Sequence, residues 1–368
     1  MDAMKTTRRL LLVIVIGAIC VPAMGFELTV RDAKGKPRDA ESVIADVASA
    51  RAVFVGESHD RYDEHLSELE IIRQLYERDS RRWAIGVEFI QRPFQKVLDD
   101  YISGAISEKD FLEKTEYFDR WGFDFRLYRP IFQFAREHRI PMVALNAERE
   151  LTQKVGKVGL EGLTAAERAQ LPDPFDKSDK RYRKRLEKVY KDHMKGMGTF
   201  EHFWEAQLTW DETMADRAAA YLSAHPDKSI VVLAGAGHIE SGSGIPNRVR
   251  RHLPNVKTAV LIAEDKPEKG HVADYFLISK EETLPAAPKI GIVMEDKDGV
   301  RVKEVTSGGA AATSGIQVKD RILSIDGQDV NSLAGVRLAM LDKNVGDVVV
   351  VRVQREGSAD LRIEIKLS

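Results

Sequence analysis

Cysteine, net charge and long apolar runs are all scarce in this chain of 368 residues. Its one cysteine, Cys20, excludes an internal disulfide and a zinc site built from paired thiolates. The 56 basic residues nearly balance the 58 acidic ones, so no basic field attracts nucleic acid and we expect no such partner. Beyond the N-terminus, no apolar run reaches the roughly 20 residues of a membrane helix. The length instead fits two domains.

Residues 1–25 have the pattern of an export signal. Basic residues precede an apolar run over residues 10–21, and small residues at positions 23 and 25 place cleavage before Phe26. We therefore expect a periplasmic or cell-envelope protein. A lipid anchor on Cys20, an uncleaved membrane anchor and twin-arginine export at Arg8-Arg9 stay open as alternatives.

A short Pro/Ala segment, residues 284–288, separates two regions of different pattern. In residues 26–283, apolar runs alternate with helical spacing such as that of Leu66, Leu69, Ile72 and Leu75. The runs predict strands buried on both faces, at residues 52–55, 83–87, 141–145, 230–234, 258–262 and 275–278. The pattern predicts an α/β domain whose mostly parallel sheet is covered by helices, followed by a small β-rich domain over residues 289–368.

Polar side chains follow four of the predicted strands. Glu57 and His59 follow the first, Glu88 the second, Asn146 the third and His238 the fourth. Ligands of α/β sheets bind beyond the carboxyl ends of the strands, so we expect these side chains to meet. Two imidazoles and two carboxylates would hold Zn, Mn or Co, or would work as base and charge stabiliser. The alternative is that each only caps a helix or bonds a loop.

Three further features could contribute to a site. His65 follows His59 by six residues, which is not the spacing of a helical metal pair, and could still line the mouth of the site. Residues 176–195 are strongly basic and predict either a solvated helix or an anion-attracting flap with Tyr182, Tyr190, His193, Met194 and Met197 as contacts. Trp210 and Asp211 share a helical face with Gln207 and Met214.

These motifs, in their order, resemble the ChaN-like haem-binding proteins of the Tiki/TraB/erythromycin-esterase superfamily. The resemblance runs from about residue 53 to 247. Its motifs are Gly56-Glu57-Ser58-His59, Gly86-Val87-Glu88-Phe89, Trp121 with Tyr128-Arg129-Pro130, Pro141 to Asn146, Ala206-Gln207, Trp210-Asp211, Met214-Ala215, Gly237-His238 and Gly244-Ile245-Pro246.

The resemblance implies an envelope protein of haem or iron uptake, often a membrane-associated lipoprotein, that binds haem and dimerises. Glu57, His59, Glu88 and His238 match the core shared with the superfamily's metal-dependent hydrolases. Many ChaN-like sequences have a His-His pair where this chain has Glu64-His65. The expected roles are acid–base chemistry for Glu57 and Glu88, metal binding for His59 and His238, and cofactor contacts for His65, Tyr128, Arg129 and Asn146.

Residues 289–368 resemble a PDZ domain of the type found beside bacterial proteases. Lys289-Ile290-Gly291-Ile292 is similar to the carboxylate-binding loop, and Asp326-Gly327 marks a strand turn. The resemblance implies that Ile290, Gly291 and Ile292 hold the carboxyl end of a peptide, which adds as a strand.

Three functions remain open from the sequence. The first is a haem- or iron-binding protein whose PDZ domain recruits a peptide or protein C-terminus. The second is a metal-dependent hydrolase in which Glu57 is the base while His59, His238 and Glu88 hold the ion. The third is a scaffold in which the same groups only stabilise loops.

Overall fold

The computed structural model describes residues 28–173, 175–193, 198–263 and 273–368. The expected export signal, Cys20, Met194 and Met197 lie outside these ranges. Strands of the first sheet are β1 Thr29–Asp32, β2 Pro37–Arg38, β3 Ala52–Glu57, β4 Trp83–Gln91, β5 Met142–Asn146, β6 Ser229–Gly235, β7 Thr258–Ala263 and β8 Tyr275–Ile278. Those of the second are β9 Ile292–Asp296, β10 Val300–Val305, β11 Arg321–Ile325, β12 Gln328–Asp329, β13 Val348–Gln354 and β14 Leu361–Lys366.

In the first part of the chain, between one and four α-helices follow each strand from β2 to β6. They are α1 Ala40–Val47, α2 Tyr62–Arg78, α3 Gln95–Ser103, α4 Glu108–Lys114, α5 Tyr117–Arg120, α6 Arg129–His138, α7 Arg149–Val158, α8 Ala165–Arg168, α9 Lys180–His193, α10 Phe200–Ala224, α11 Ile245–His252 and α12 Leu333–Met340. Among the described residues, none of these helices combines the length and apolar character needed to cross a membrane.

The first sheet has the order β2-β1-β8-β7-β3-β6-β4-β5. Its six strands from β8 to β5 are parallel, and β1 and β2 add antiparallel at one edge. The central strands β3, β4 and β6 are buried along their whole length because helices cover both faces. The predicted α/β class with a mostly parallel sheet is therefore confirmed.

Helix α2 departs from the amphipathic pattern that its leucines predict. Leu66 and Leu69 are only half-buried, whereas His65 and Glu68 on the neighbouring face are fully buried. An acidic side chain enters a core only when it has partners, so this face of α2 belongs to a polar cluster.

The second sheet, of the order β14-β13-β11-β10-β9 with β12 beside β11, is antiparallel and matches the expected PDZ domain. The Asp326-Gly327 turn joins β11 to β12, and both residues have positive φ, 49° and 81°. Strand β9 is at the edge of this sheet. An edge strand can pair with an added peptide.

Helix α12 of the second domain packs against the first domain. Its Leu338, together with Leu341, is buried in the core cluster that contains the aromatic residues of α4 and α6. The carboxylate of Asp342 then pairs with Arg129, at 2.6 Å, and with Lys109, at 3.6 Å. Apolar contact and ion pairing together fix the two domains side by side.

Candidate functional site

Four strand ends meet around one cavity of about 250 Å³. Four of the five polar residues predicted at these ends line it together: His59 after β3, Glu88 in β4, Asn146 in β5 and His238 after β6. The fifth, Glu57, is buried and does not line the cavity. The rest of the lining is aromatic, basic or neutral and polar, namely Phe89, Trp121, Phe123, Trp210, Arg120, Arg149, Gln91 and Thr152. The cavity thus combines imidazoles, aromatic walls and cations at the carboxyl edge of the sheet.

His59 is held by a carboxylate of its own strand end. Its Nδ1 atom lies 2.6 Å from Oε1 of Glu57, whose side chain is almost fully buried. Burial by itself would lower the His59 pKa, but the hydrogen bond to Glu57 and the charge of Glu88 raise that pKa to about 9. The imidazole is therefore protonated at neutral pH, with Glu57 as its fixed counter-charge.

His238 lies between two carboxylates. Its Nδ1 atom is 2.7 Å from Oδ1 of Asp211 on α10, and its Nε2 atom is 3.6 Å from Oε1 of Glu88. Burial opposes the protonated form, yet Glu88 and Asp211 raise the His238 pKa above its usual value. The second oxygen of Glu88 accepts a hydrogen bond from the main-chain N–H of Gly235, at 2.8 Å, which fixes this carboxylate between the two histidines.

Gly235 lets His59 approach the end of β6. A Cβ atom at position 235 would lie 2.8 Å from Cε1 and 3.1 Å from Nε2 of the His59 ring. These distances are too short for real side chains, so only glycine fits here without a shift of the ring. The ring of His59 also meets Trp121 and Phe123 edge-on, at centroid distances of 4.8 and 5.1 Å.

His65 and Tyr128 lie one layer beneath the cavity and do not line it. Nε2 of His65 is 3.3 Å from the main-chain carbonyl of His59, and the Tyr128 hydroxyl donates to the same oxygen at 3.2 Å. Nδ1 of His65 in turn lies 2.9 Å from Oε2 of Glu68. Because both residues are fully buried, they position the His59 loop rather than contact a ligand in the cavity.

The structure does not bring Arg129 to the cavity. Its guanidinium pairs with Glu108 at 2.7 Å and with Asp342 of the second domain at 2.6 Å, so its charge is used between the domains. The cations that do line the cavity are Arg120 and Arg149. Arg120 forms ion pairs with Glu116 and Glu150. The guanidinium of Arg149 donates a hydrogen bond to the main-chain carbonyl of Asp119.

A buried ion-pair network supports Asp211 from behind. Nε of Arg248 lies 2.8 Å from Glu212, and its Nη1 lies 3.9 Å from Oδ2 of Asp211, with all three side chains fully buried. Burial disfavours the charged guanidinium, but the two carboxylates raise the Arg248 pKa. This buried cation offsets the negative charge that Asp211 places beside His238.

The basic segment forms helix α9 and covers the turn that carries His238. Arg185 donates to the main-chain carbonyl of Gly237 at 2.8 Å and pairs with Glu240, also at 2.8 Å. Tyr182 is fully buried against Trp204 and does not reach the cavity. Most of the remaining cations of α9 are exposed, as on a solvated helix.

Sequence reasoning missed the aromatic segment between α5 and α6 as part of the site. Trp121 belongs to a motif of the family resemblance but has no predicted role, and no sequence pattern marks Phe123. No periodicity marks these residues, because they reach the cavity from a loop. Trp210 and Asp211, whose shared helical face fits either a site or helix-to-sheet packing, both lie at the site: Trp210 lines the cavity and Asp211 contacts His238.

A second groove, of about 480 Å³, lies on the PDZ side. The predicted loop residues Ile290, Gly291 and Ile292 line it between β9 and α12. Gly291 has a φ of 84°, and a Cβ there would lie 2.9 Å from the main-chain nitrogen of Ala310, so glycine is required for this turn. The side chain of Ile290 is buried in the core of the PDZ domain, so the backbone of the loop faces the groove.

The hydrolase alternative needs an ion held by His59, His238 and Glu88. Within the described ranges, no three His, Cys, Asp or Glu side chains are grouped as they would be around a metal ion. Nδ1 of each histidine faces a carboxylate, which leaves Nε2 as the ring nitrogen that can bind a ligand. Without a grouped ligand set in the described ranges, the hydrolase alternative is not favoured.

Comparison with known families agrees with the two-part fold. A family model described as haem-binding uptake, Tiki superfamily, ChaN matches residues 43–249, and a PDZ domain model matches residues 288–367. A solved structure titled cofacial haem binding to ChaN of Campylobacter jejuni aligns with a TM-score of 0.52 at 18% identity, over 69% of this chain and 97% of that one. At this identity, the likeness shows a shared fold.

Curated relatives match over short segments only. A serine protease Do-like HtrA of Lactobacillus helveticus is 35% identical over 71 residues, 19% of this chain and 17% of its own length. A Patj homolog of Drosophila melanogaster is 33% identical over 105 residues, 28% of this chain and 12% of its own. This chain thus spans less than a fifth of either relative.

Proposed function

Because this chain belongs to the ChaN family of haem-binding uptake proteins in the Tiki superfamily, we propose that it binds haem at the His59 cavity and serves haem or iron uptake. One observation carries the proposal. The imidazole of His59 lies among aromatic side chains that include Trp121 and Phe123, with two arginines in the same lining.

The residues present fit a haem. Haem would supply an iron that binds a nitrogen or oxygen ligand, and the imidazole of His59, whose ring meets the aromatic wall, would be that ligand. Trp121, Phe123 and Trp210 offer apolar faces for a flat macrocycle. Arg120 and Arg149 offer cations for carboxylate groups. His59 must lose its proton before a ring nitrogen can bind iron, so binding would release a proton.

The size of the cavity bears on how a haem would be held. At about 250 Å³ it lies below the roughly 300–1,000 Å³ of pockets that enclose a ligand. Much of a bound haem would therefore project from the cavity and leave apolar surface uncovered. A second copy of the chain would cover that surface, so we expect a homodimer with haem bound.

The PDZ domain supplies a second binding function. Its edge strand β9 and the Lys289-to-Ile292 loop fit a peptide that adds as a strand and ends in a free carboxylate. We expect this domain to recruit a partner protein by its C-terminus. That partner would bring the haem-binding domain to the place where haem or iron is delivered or taken up.

We place the protein in the cell envelope on the pattern of residues 1–25. Membrane association through a lipid on Cys20 is the alternative to release by cleavage. The intact mass of the chain recovered from its host decides between them. A chain that begins at Phe26 supports cleavage, whereas added lipid mass on Cys20 supports the anchor. A full-length chain in the cytoplasm would contradict both.

A haem titration followed at the Soret band tests the proposed function. The wild-type chain is expected to saturate with a dissociation constant of about 1 μM or lower. His59→Ala should weaken haem binding by more than about tenfold, because even residues that only support a metal ligand change metal affinity by about that factor when they are replaced. His138→Ala, on the exposed end of α6, is the matched control and should bind as the wild type does. Absence of a saturable Soret change in the wild type would contradict the proposal.

A further inference from the structure

The peptide groove of the PDZ domain has a second wall that comes from the other domain. On one side lie Ile292 of β9 and Val336 and Met340 of α12. On the other side lie Phe118 of α5 and, from the loop that follows this helix, Gly122 and Phe123. A peptide that fills this groove therefore contacts both domains, and about 480 Å³ is ample room for side chains of an extended segment.

The same segment, residues 118–123, forms the aromatic wall of the His59 cavity. Phe123 lines both the groove and the cavity, whereas Phe118 lines only the groove and Trp121 only the cavity. The ring centroid of Phe123 is 5.1 Å from that of His59 and 5.7 Å from that of Trp121. One side chain thus separates the two binding sites.

Helix α12 is attached to this segment directly. Nη1 of Arg337 lies 3.5 Å from the main-chain carbonyls of both Phe118 and Gly122. Leu338 on the same helix is buried in the core of the first domain. A peptide that presses between β9 and α12 acts on a helix that already holds the aromatic segment.

We propose that the groove is a composite site for a peptide with a free carboxyl end and an apolar last residue, and that peptide binding there strengthens ligand binding in the His59 cavity through Phe123. We infer an apolar last residue of the peptide because Ile292, Val336 and the two phenylalanines line the groove. We infer a free carboxylate at the peptide's end because the exposed ammonium group of Lys289 lies at the loop and would attract a negative charge. Coupling follows because a peptide packed on Phe118 and Phe123 fixes the wall that a cavity ligand also needs.

This inference rests on the proposed function only for the identity of the cavity ligand. Its first test needs no haem. The probe is a fluorescein-labelled pool of pentapeptides that end in valine, with the same pool amidated at the carboxyl end as reference. Binding to the full chain is followed by fluorescence anisotropy.

Three variants test whether the peptide contacts Phe123. Phe123→Ala should weaken binding of the valine-ended pool by at least about fivefold, the effect of losing a central aromatic contact. Phe134→Ala, another half-buried phenylalanine of the same domain, is the control and should change it by less than about twofold. Phe123→Leu keeps most of the apolar volume and should lie between, which guards against a loss of fold in the alanine variant.

The second test measures haem and peptide together. Saturating peptide should tighten haem binding by about fivefold, and haem should tighten peptide binding by the same factor. Phe118→Ala should lower peptide affinity more than haem affinity, Trp121→Ala should do the reverse, and Phe123→Ala should lower both and abolish the coupling.

The outcomes distinguish this inference from the proposed function. Unchanged peptide affinity in Phe123→Ala, or no preference for the free carboxylate over the amide, overturns the composite site even if haem binds well. Independent binding of haem and peptide overturns the coupling. If haem does not bind at all, the proposed function fails, while the Phe123→Ala result still decides whether the groove is composite.

Discussion

Oδ1 of Asp211 lies 2.7 Å from Nδ1 of His238, and the two residues come from α10 and the turn after β6. This contact joins a helix on one face of the sheet to the strand end that carries the second imidazole of the cavity. It makes Asp211 the residue that orients His238, although Asp211 itself is fully buried and does not line the cavity.

Removal of the charge of Asp211 should change the titration of His238. In Asp211→Asn the carboxylate that helps to raise the His238 pKa is gone, so that pKa should fall. Histidine ring resonances followed by NMR against pH report the shift directly. Asp216→Asn, a half-buried change on the same helix, should leave the His238 titration as it is. An unshifted His238 in Asp211→Asn would contradict the assigned contact.

Gly235→Ala should impair haem binding without unfolding the chain. The added methyl group would lie 2.8 Å from Cε1 of His59, so the imidazole has to move away from β6. We expect haem affinity to fall by about tenfold, as for other changes next to a ligand. Gly237→Ala is the matched control, because a Cβ at position 237 meets no atom within 4 Å. Equal haem affinity in the two variants would count against His59 as the haem contact.

Stability should fall as the pH rises past neutrality. The His59 pKa is raised from 6.5 to about 9 in the folded state, so the folded chain holds a proton that the unfolded chain loses. The resulting stabilisation is complete below pH 6.5 and disappears as the pH rises through about 9. Urea unfolding of the haem-free chain at pH 6 and pH 9 measures this loss. His59→Gln should lose less stability over that interval, and an equal loss would contradict the pairing with Glu57.

Arg248→Met should be among the costly substitutions in the first domain. It removes the fully buried cation beside Asp211 and Glu212, so that Oδ2 of Asp211 loses its nearby charge and Glu212 keeps only Arg251 as a cationic partner. Breaking a buried pair in this way costs about 3–5 kcal/mol in free energy of unfolding. Arg250→Met on the same helix removes hydrogen bonds to Gly242 and Thr258 and should cost about 1 kcal/mol. Similar unfolding free energies for the two variants would show that the buried network contributes little.

The fold, and the side chains at the carboxyl ends of its strands, could be predicted from the sequence. Apolar runs mark buried parallel strands, and the carboxyl ends of such strands share one edge, so Glu88, Asn146 and His238 could be placed near His59 without coordinates. Helical spacing also puts Asp211 on one face with Gln207 and Met214, but that spacing fits packing against the sheet equally well.

The remaining parts of the site depend on packing between elements that are distant in the sequence. Nothing in the sequence around Tyr128 or His65 indicates that they hold the His59 carbonyl from below instead of facing a ligand. The contact of Arg129 with Asp342 requires knowledge of how the PDZ domain docks. Phe123 reaches two sites because a loop folds between the domains, and loops carry no periodic signal.

The axial ligand of bound haem tests the central claim most directly. The measurement is electron nuclear double resonance on the ferric haem complex of chain labelled with ¹⁵N-histidine. We expect a coupling from a histidine nitrogen in the wild type, its loss in His59→Ala and its retention in His138→Ala. A wild-type complex without any histidine coupling, or a coupling that persists in His59→Ala, would contradict it.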